Sequence, residues 1–146
     1  MDPLSRFFEY AQEFEKTYVD DDWSRLEKHF ATDATYEVGP DPFTCKLVGP
    51  KAILRGMKKS VDNFDRKCSE RIVDLSSPPV VEGEKVSVDW AVTYRRGDSP
   101  PVLLNGRSTA RVRDGVIVSL VDELSVSPEA SAWLARYGPD LDASYV

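Results

Sequence analysis

An α+β fold is predicted for this chain from three observations. Three stretches of the first half carry apolar residues at helical spacing, four longer runs of the second half have strand character, and an Asp114-Gly115 pair joins the last two runs. Helices first and a meander of strands afterwards is the order of α+β rather than of alternating α/β. At 146 residues the chain is expected to form a single domain over 1–146, a size that buries about 70% of its unfolded surface without staples.

The first helix is read from Leu4, Phe7, Phe8, Ala11, Phe14 and Tyr18, which fall on one helical stripe, with Asp2 as cap and Pro3 in the first turn. Trp23, Leu26 and Phe30 mark a shorter helix with Asp22 at its cap position, and Thr35–Val38 then reads as strand. The Gly-Pro-Asp-Pro segment at 39–42 is a turn, and Phe43–Leu47 returns as a short strand. A third helix opens at Gly49-Pro50 and carries Ile53, Met57, Val61 and Phe64 on one face.

Strands follow at Glu70–Leu75, Lys85–Arg96, Val102–Arg113 and Val116–Ser125. Asp-Gly suits a two-residue hairpin loop because both central residues there need positive φ. With Arg113 facing Val116, that turn sets Arg107 opposite Asp122, Thr109 opposite Leu120 and Arg111 opposite Val118. A final short helix is read at 127–138, with Ser127 as cap, Pro128 first and Gly138 as stop. The three apolar helix faces are expected on one side of the sheet.

Composition narrows the function. The net charge is -6, which works against a nucleic-acid partner, since such binding depends on cations displacing counterions from phosphates. The basic cluster Lys58, Lys59, Arg66 and Lys67 is interrupted by Asp62 and Asp65 and reads as a solvated helix face. Cys45 and Cys68 lie 23 residues apart without metal or redox spacing, so free thiols in the cytoplasm are expected. No run of 18 apolar residues suggests a membrane span. Glycine-rich phosphate loops are absent and His29 is the sole histidine, so neither a nucleotide cofactor nor a metal centre is expected, and His29 is assigned a surface or packing role.

The stretch Asp22–Val38, DWSRLEKHFATDATYEV, resembles a segment of SnoaL-like polyketide cyclases, ketosteroid isomerases and other nuclear transport factor two-like proteins. The shared features are a short helix running into Phe30 and then Ala34-Thr35 opening the first strand. The resemblance covers about residues 5–125, leaving 127–138 as a C-terminal helix and 139–146 as a tail. It implies a cone-shaped roll, in which a curved antiparallel sheet packs on three N-terminal helices around a pocket, and a homodimer formed through the outer sheet face. It also implies a cofactor-independent isomerase, cyclase, dehydratase or hydrolase acting on a small apolar molecule, or a non-catalytic binding module. The catalytic tyrosine, base and second acid of ketosteroid isomerases fall on Phe14, Val38 and the neighbourhood of Thr109. None of these can do that chemistry, so ketosteroid-type enolisation is disfavoured.

Two readings of the sheet stand. One face collects Asp89, Arg107, Arg111 and Asp122. If it lines the pocket, Asp89, Arg107 and Asp122 form a catalytic acid–base set like those of epoxide hydrolases and dehydratases. If it is the outer face, these groups form a surface ion network. The pocket is then lined by Phe14, Tyr36, Met57, Trp90 and Tyr94, with Ser108 or Ser119 as polar groups. Binary patterning favours the outer-face reading, because Val86, Val88, Trp90, Val92 and Tyr94 occupy the opposite face, unless a bulge reverses local parity. Burial of Asp89 beside Arg107 marks an enzyme; its exposure marks the binding module.

Overall fold

The computed structural model describes residues 2–146. Its first helix, α1 (Pro3–Asp20), is capped by Asp2, whose carboxylate accepts the Ser5 N–H at 2.9 Å. Asp21 ends the helix in the left-handed region at φ 61° and returns its N–H to the Thr17 carbonyl. The second helical segment, Trp23–His29, is a 3-10 helix, and Asp22 bonds the Ser24 hydroxyl rather than a backbone N–H. It seats Leu26, fully buried, beneath α1 and the third helix, α2 (Pro50–Asn63).

The strands are β1 (Phe30–Gly39), β2 (Cys45–Val48), β3 (Glu70–Leu75), β4 (Val80–Glu82), β5 (Lys85–Arg95), β6 (Val102–Arg113) and β7 (Val116–Ser125), followed by α3 (Pro128–Tyr137). They form one curved, unclosed sheet in the order β2-β1-β7-β6-β5-β3, with β4 also pairing β5. The fold is the expected α+β roll, with helices and inward sheet residues around one hollow. The sheet is mixed, however, because β1 runs parallel to β7. Short turns between successive strands favour antiparallel pairing, and β1 reaches β7 through no hairpin. Among the described residues, no helix is long and apolar enough to cross a membrane.

The decisive departure lies in β7. Arg113 does face Val116 and Val112 faces Ile117, but the next pair is Arg111 with Ser119. Val118 is therefore a bulged residue without a partner. Side chains alternate along a strand, so one extra residue inverts every later face. Asp122 lands opposite Ser108 instead of Arg107, and Leu120 joins the core at 2% exposure.

Two elements escaped sequence reading. β4 begins just after Pro78-Pro79, a pair that separates strands by its chemistry, and returns to β5 through a turn at Gly83, φ 61°. Residues 139–146, read as a tail, fold back over α2. Arg96 holds Asp140 with bonds of 2.6 and 3.1 Å, the Asp142 N–H bonds the Asn63 carbonyl, and Lys59 bonds the Val146 carbonyl. Gly56 makes room for this return, since a β-carbon there would lie 2.8 Å from the Tyr145 carbonyl oxygen.

Leu26 sits where both helices and the sheet meet, so Leu26→Ala is expected to lower stability by about 2–5 kcal/mol. Val19→Ala, on the exposed side of α1, is expected to change little. Urea denaturation of the two variants measures the contrast.

Candidate functional site

Helices and sheet enclose a cavity of about 260 Å³ lined chiefly by aromatic and aliphatic side chains. Phe14 on α1, Tyr36 on β1, Met57 on α2, Trp90 and Tyr94 on β5, and Ser108 on β6 all stand in its wall. Asp122 joins them because of the bulge. Asp89 and Arg107 do not. They lie directly opposite one another on β5 and β6 and form a two-bonded ion pair of 2.6 and 3.2 Å on the outer face. Asp89 also accepts a bond from Ser77, and Arg107 holds its carboxyl below the usual range. The structure thus divides the expected acid–base set, with one carboxylate inside and an arginine–carboxylate pair outside. Ser119, opposite Arg111, likewise lies outside the cavity lining.

Asp122 anchors a chain of polar contacts in the deep wall. The Tyr36 hydroxyl donates to Oδ2 at 2.7 Å and the Ser108 hydroxyl to Oδ1 at 2.6 Å, while the Trp90 indole N–H donates to Ser108 at 2.9 Å. The indole bond occupies a lone pair of the serine and leaves its proton for the carboxylate. Trp90 reaches Ser108 by lying flat across Gly106, where a β-carbon would approach the indole to 2.3 Å. Asp122 is partly buried and lines the cavity. Burial pushes its pKa above the ordinary aspartate value against the opposing pull of the Ser108 and Tyr36 bonds.

A second polar group occupies another part of the wall. Asp65, just after α2, accepts the Tyr94 hydroxyl and the Arg71 Nε, each at 2.9 Å. Burial raises its pKa, while Arg71 and Tyr94 pull the other way. Arg71 turns its remaining edge to Glu15 at 2.7 and 3.2 Å and stacks over Tyr18, 4.4 Å from the ring centre. Sequence reading missed this group because Asp65 sits in a charge run that is otherwise solvated. Asp62, Lys58 and Arg66 do pair with one another and with Asp21 at the surface. The returning C-terminal segment adds Ala143 and Tyr145, whose ring meets Tyr36 edge-on at 5.8 Å.

Other reactive types lie elsewhere. His29 is buried against Glu13 at 2.7 Å and edge-on to Tyr10, and it does not line the cavity. Burial pushes both thiols, Cys45 and Cys68, up to about 11, so neither is a nucleophile at neutral pH. Among the described residues, no group of three or more His, Cys, Asp or Glu is placed to hold a metal ion.

The raised pKa of Asp122 sets a pH dependence. A carboxyl that binds its proton more tightly when folded favours the native state at low pH, and that contribution is lost as pH rises from the unfolded value near 3.8 through the folded one. Asp122→Asn is therefore expected to gain stability relative to the wild type as pH climbs through that window and to hold the gain at neutral pH. Parallel urea titrations across pH check the sign, and a variant that loses ground as pH rises would refute it.

Proteins of known structure share this fold. A nuclear transport factor two-like protein of unknown function from Burkholderia pseudomallei matches with TM-score 0.63 at 12% identity, covering 89% of this chain and 95% of that one. A candidate polyketide cyclase from Xanthomonas campestris matches with TM-score 0.60 at 16% identity, covering 92% and 98%. A hypothetical protein with a ketosteroid isomerase-like fold from Catenulispora acidiphila, in complex with trimethylamine, matches with TM-score 0.60 at 20% identity, covering 89% and 92%. At such identities the likeness is one of fold. No curated protein matches the chain. The SnoaL-like domain model, in contrast, matches residues 11–120, three quarters of the sequence, and the chain belongs to the SnoaL-like domain family.

Proposed function

We propose that this SnoaL-like domain is a cofactor-independent acid–base enzyme acting in the cytoplasm on a small, largely apolar organic molecule, with Asp122 as its proton-transfer group. One observation carries the reading: a carboxylate with a raised pKa, held by two hydroxyl donors, forms part of the wall of an otherwise aromatic cavity. A base works best when its pKa is drawn toward the operating pH, and burial moves an aspartate in that direction. In the proposed cycle, Asp122 takes a proton from an acidic C–H bond of the substrate. Tyr36 and Ser108, whose O–H bonds then face a neutral acid, turn toward the oxygen that gains charge. Asp122 returns the same proton to another atom of the substrate, giving isomerisation or ring closure, or to a departing oxygen, giving dehydration.

The outer-face position of Asp89 favours the second reading, a ligand-binding module without turnover. Asp122→Asn separates the two. On a panel of enolisable ketones, aromatic polyketides and terpene epoxides, followed by NMR proton exchange and product formation, the enzyme reading expects wild-type turnover. It expects the variant to lose at least about 100-fold in kcat with near-unchanged affinity for these neutral substrates. Saturable binding with no turnover in either protein would leave the binding module.

We further propose a homodimer through the outer sheet face. Ile72 on β3, Thr93 on β5 and Leu103 on β6 stand in one register row there, with Ile72 and Leu103 about half exposed. A row of this kind reads as contact surface. Analytical ultracentrifugation is expected to show a dimer that Leu103→Glu converts to monomer, and a monomeric wild type would overturn the assignment.

A further inference from the structure

Three carboxylates and one guanidinium line the cavity, and their charges do not balance. Glu15, Asp65 and Asp122 are acidic, whereas Arg71 is the one cationic residue among the described lining residues. Its guanidinium is already divided between two carboxylates, with Nε on Asp65 and both terminal nitrogens on Glu15. Nothing is left over for Asp122. Its partners are the hydroxyls of Tyr36 and Ser108, which solvate a carboxylate but do not neutralise it, and no cationic side chain bears on its ionisation.

Rings dominate the rest of the wall. Ten of the 26 lining residues are aromatic, including Tyr10, Phe14, Tyr36, Trp90, Tyr94 and Tyr145, and they come from α1, the turn that follows α2, both halves of the sheet and the returning C-terminal segment. The face of an aromatic ring carries negative potential and attracts a cation, most strongly where water is excluded. An enclosure of rings with a carboxylate left unneutralised is electrostatically complementary to an organic cation. It is poorly suited to an anion, which would meet both the ring faces and Asp122. The net charge of -6 adds a long-range field of the same sign.

We propose that the physiological ligand of this cavity is an organic cation, an apolar body carrying a protonated or quaternary amine that sits among the rings and supplies the counter-charge Asp122 lacks. The inference rests on the reading of the cavity as a small-molecule site and specifies the class of molecule that enters it. Bound there, the ammonium group faces Asp122 and the ring walls, while its hydrocarbon part takes the aliphatic surface of Met57, Val88 and Val92.

The test uses two probes of the same shape that differ by one positive charge, 3-hydroxyphenyltrimethylammonium and 3-tert-butylphenol. Titration calorimetry on the full chain is expected to show the ammonium compound binding at least tenfold more tightly. In Asp122→Asn that preference is expected to fall toward parity while affinity for the phenol holds or rises. Should that variant fail to fold by circular dichroism, Glu15→Gln serves instead: it frees part of Arg71 and is expected to reduce the preference severalfold. Tighter binding of the phenol than of the ammonium ion by the wild type would overturn the cation assignment and leave the pocket standing. A preference for the ammonium ion that survives every charge removal would overturn it equally. Absence of saturable binding for both probes would remove the small-molecule reading together with this one.

Discussion

One unpaired residue, Val118, governs what the cavity contains. The hairpin at Asp114-Gly115 pins one end of the β6–β7 ladder, and an unbroken ladder from that point would carry Asp122 to the outer face beside Arg107. The bulge adds a residue to β7, bends the strand and exchanges its faces beyond Ile117. Ile117 and Leu120, three apart, both point into the core as a result, and Asp122 follows at the next inward position. The same exchange sets Leu120 beside Tyr36 in the parallel β1–β7 pairing, which brings the tyrosine hydroxyl within 2.7 Å of the carboxylate. Curvature and chemistry thus share one cause.

The fold was largely legible because its signals are local and repeated. Helical spacing located α1 and α2, and capping residues located their ends. Alternation from Val86 to Tyr94 identified the inward face of β5 correctly, since five regular residues on one face leave little freedom of parity. The position of Asp122 was not legible, because neither Val118 nor its neighbours carry the glycine that often marks a bulge. Asp65 was hidden for a different reason. It shares a charge run with solvated neighbours, and only the turn after α2 separates its side chain from theirs. The C-terminal return depends on long-range contacts to Asn63, Arg96 and Gly56 that no sequence window contains.

Carboxylates buried in a cavity are costly, and the chain bears that cost in a defined place. Desolvation disfavours ionised Asp122 and Asp65 alike, but Asp65 is offset by Arg71 and Asp122 only by neutral donors. Stability is supplied at a distance, in the layer of Leu26, Ile53, Val86 and Ile117, all almost wholly buried. The arrangement around Asp122 is built as a series of contacts. Gly106 admits the flat indole of Trp90, the indole orients Ser108, and Ser108 and Tyr36 together fix both carboxylate oxygens. Each member of that series is held by the one before it, which is how a carboxylate keeps its geometry without a charged partner.

Asp89 and Asp122 show why position rather than residue type decides ionisation here. Their sequence pattern places both in one acid–base set, and both accept two or more hydrogen bonds. Arg107 and Ser77 hold the pKa of Asp89 below the usual range, so it has little tendency to take a proton near neutral pH. Asp122, with hydroxyls for partners and rings for surroundings, is shifted in the opposite sense, so proton uptake and a bound positive charge are two ways of relieving the same unfavourable burial. A ligand cation and a transferred proton therefore compete for one carboxylate. A molecule that both neutralises Asp122 and reacts there must bring its charge to the rings beside the carboxylate while presenting its acidic bond to the carboxylate itself.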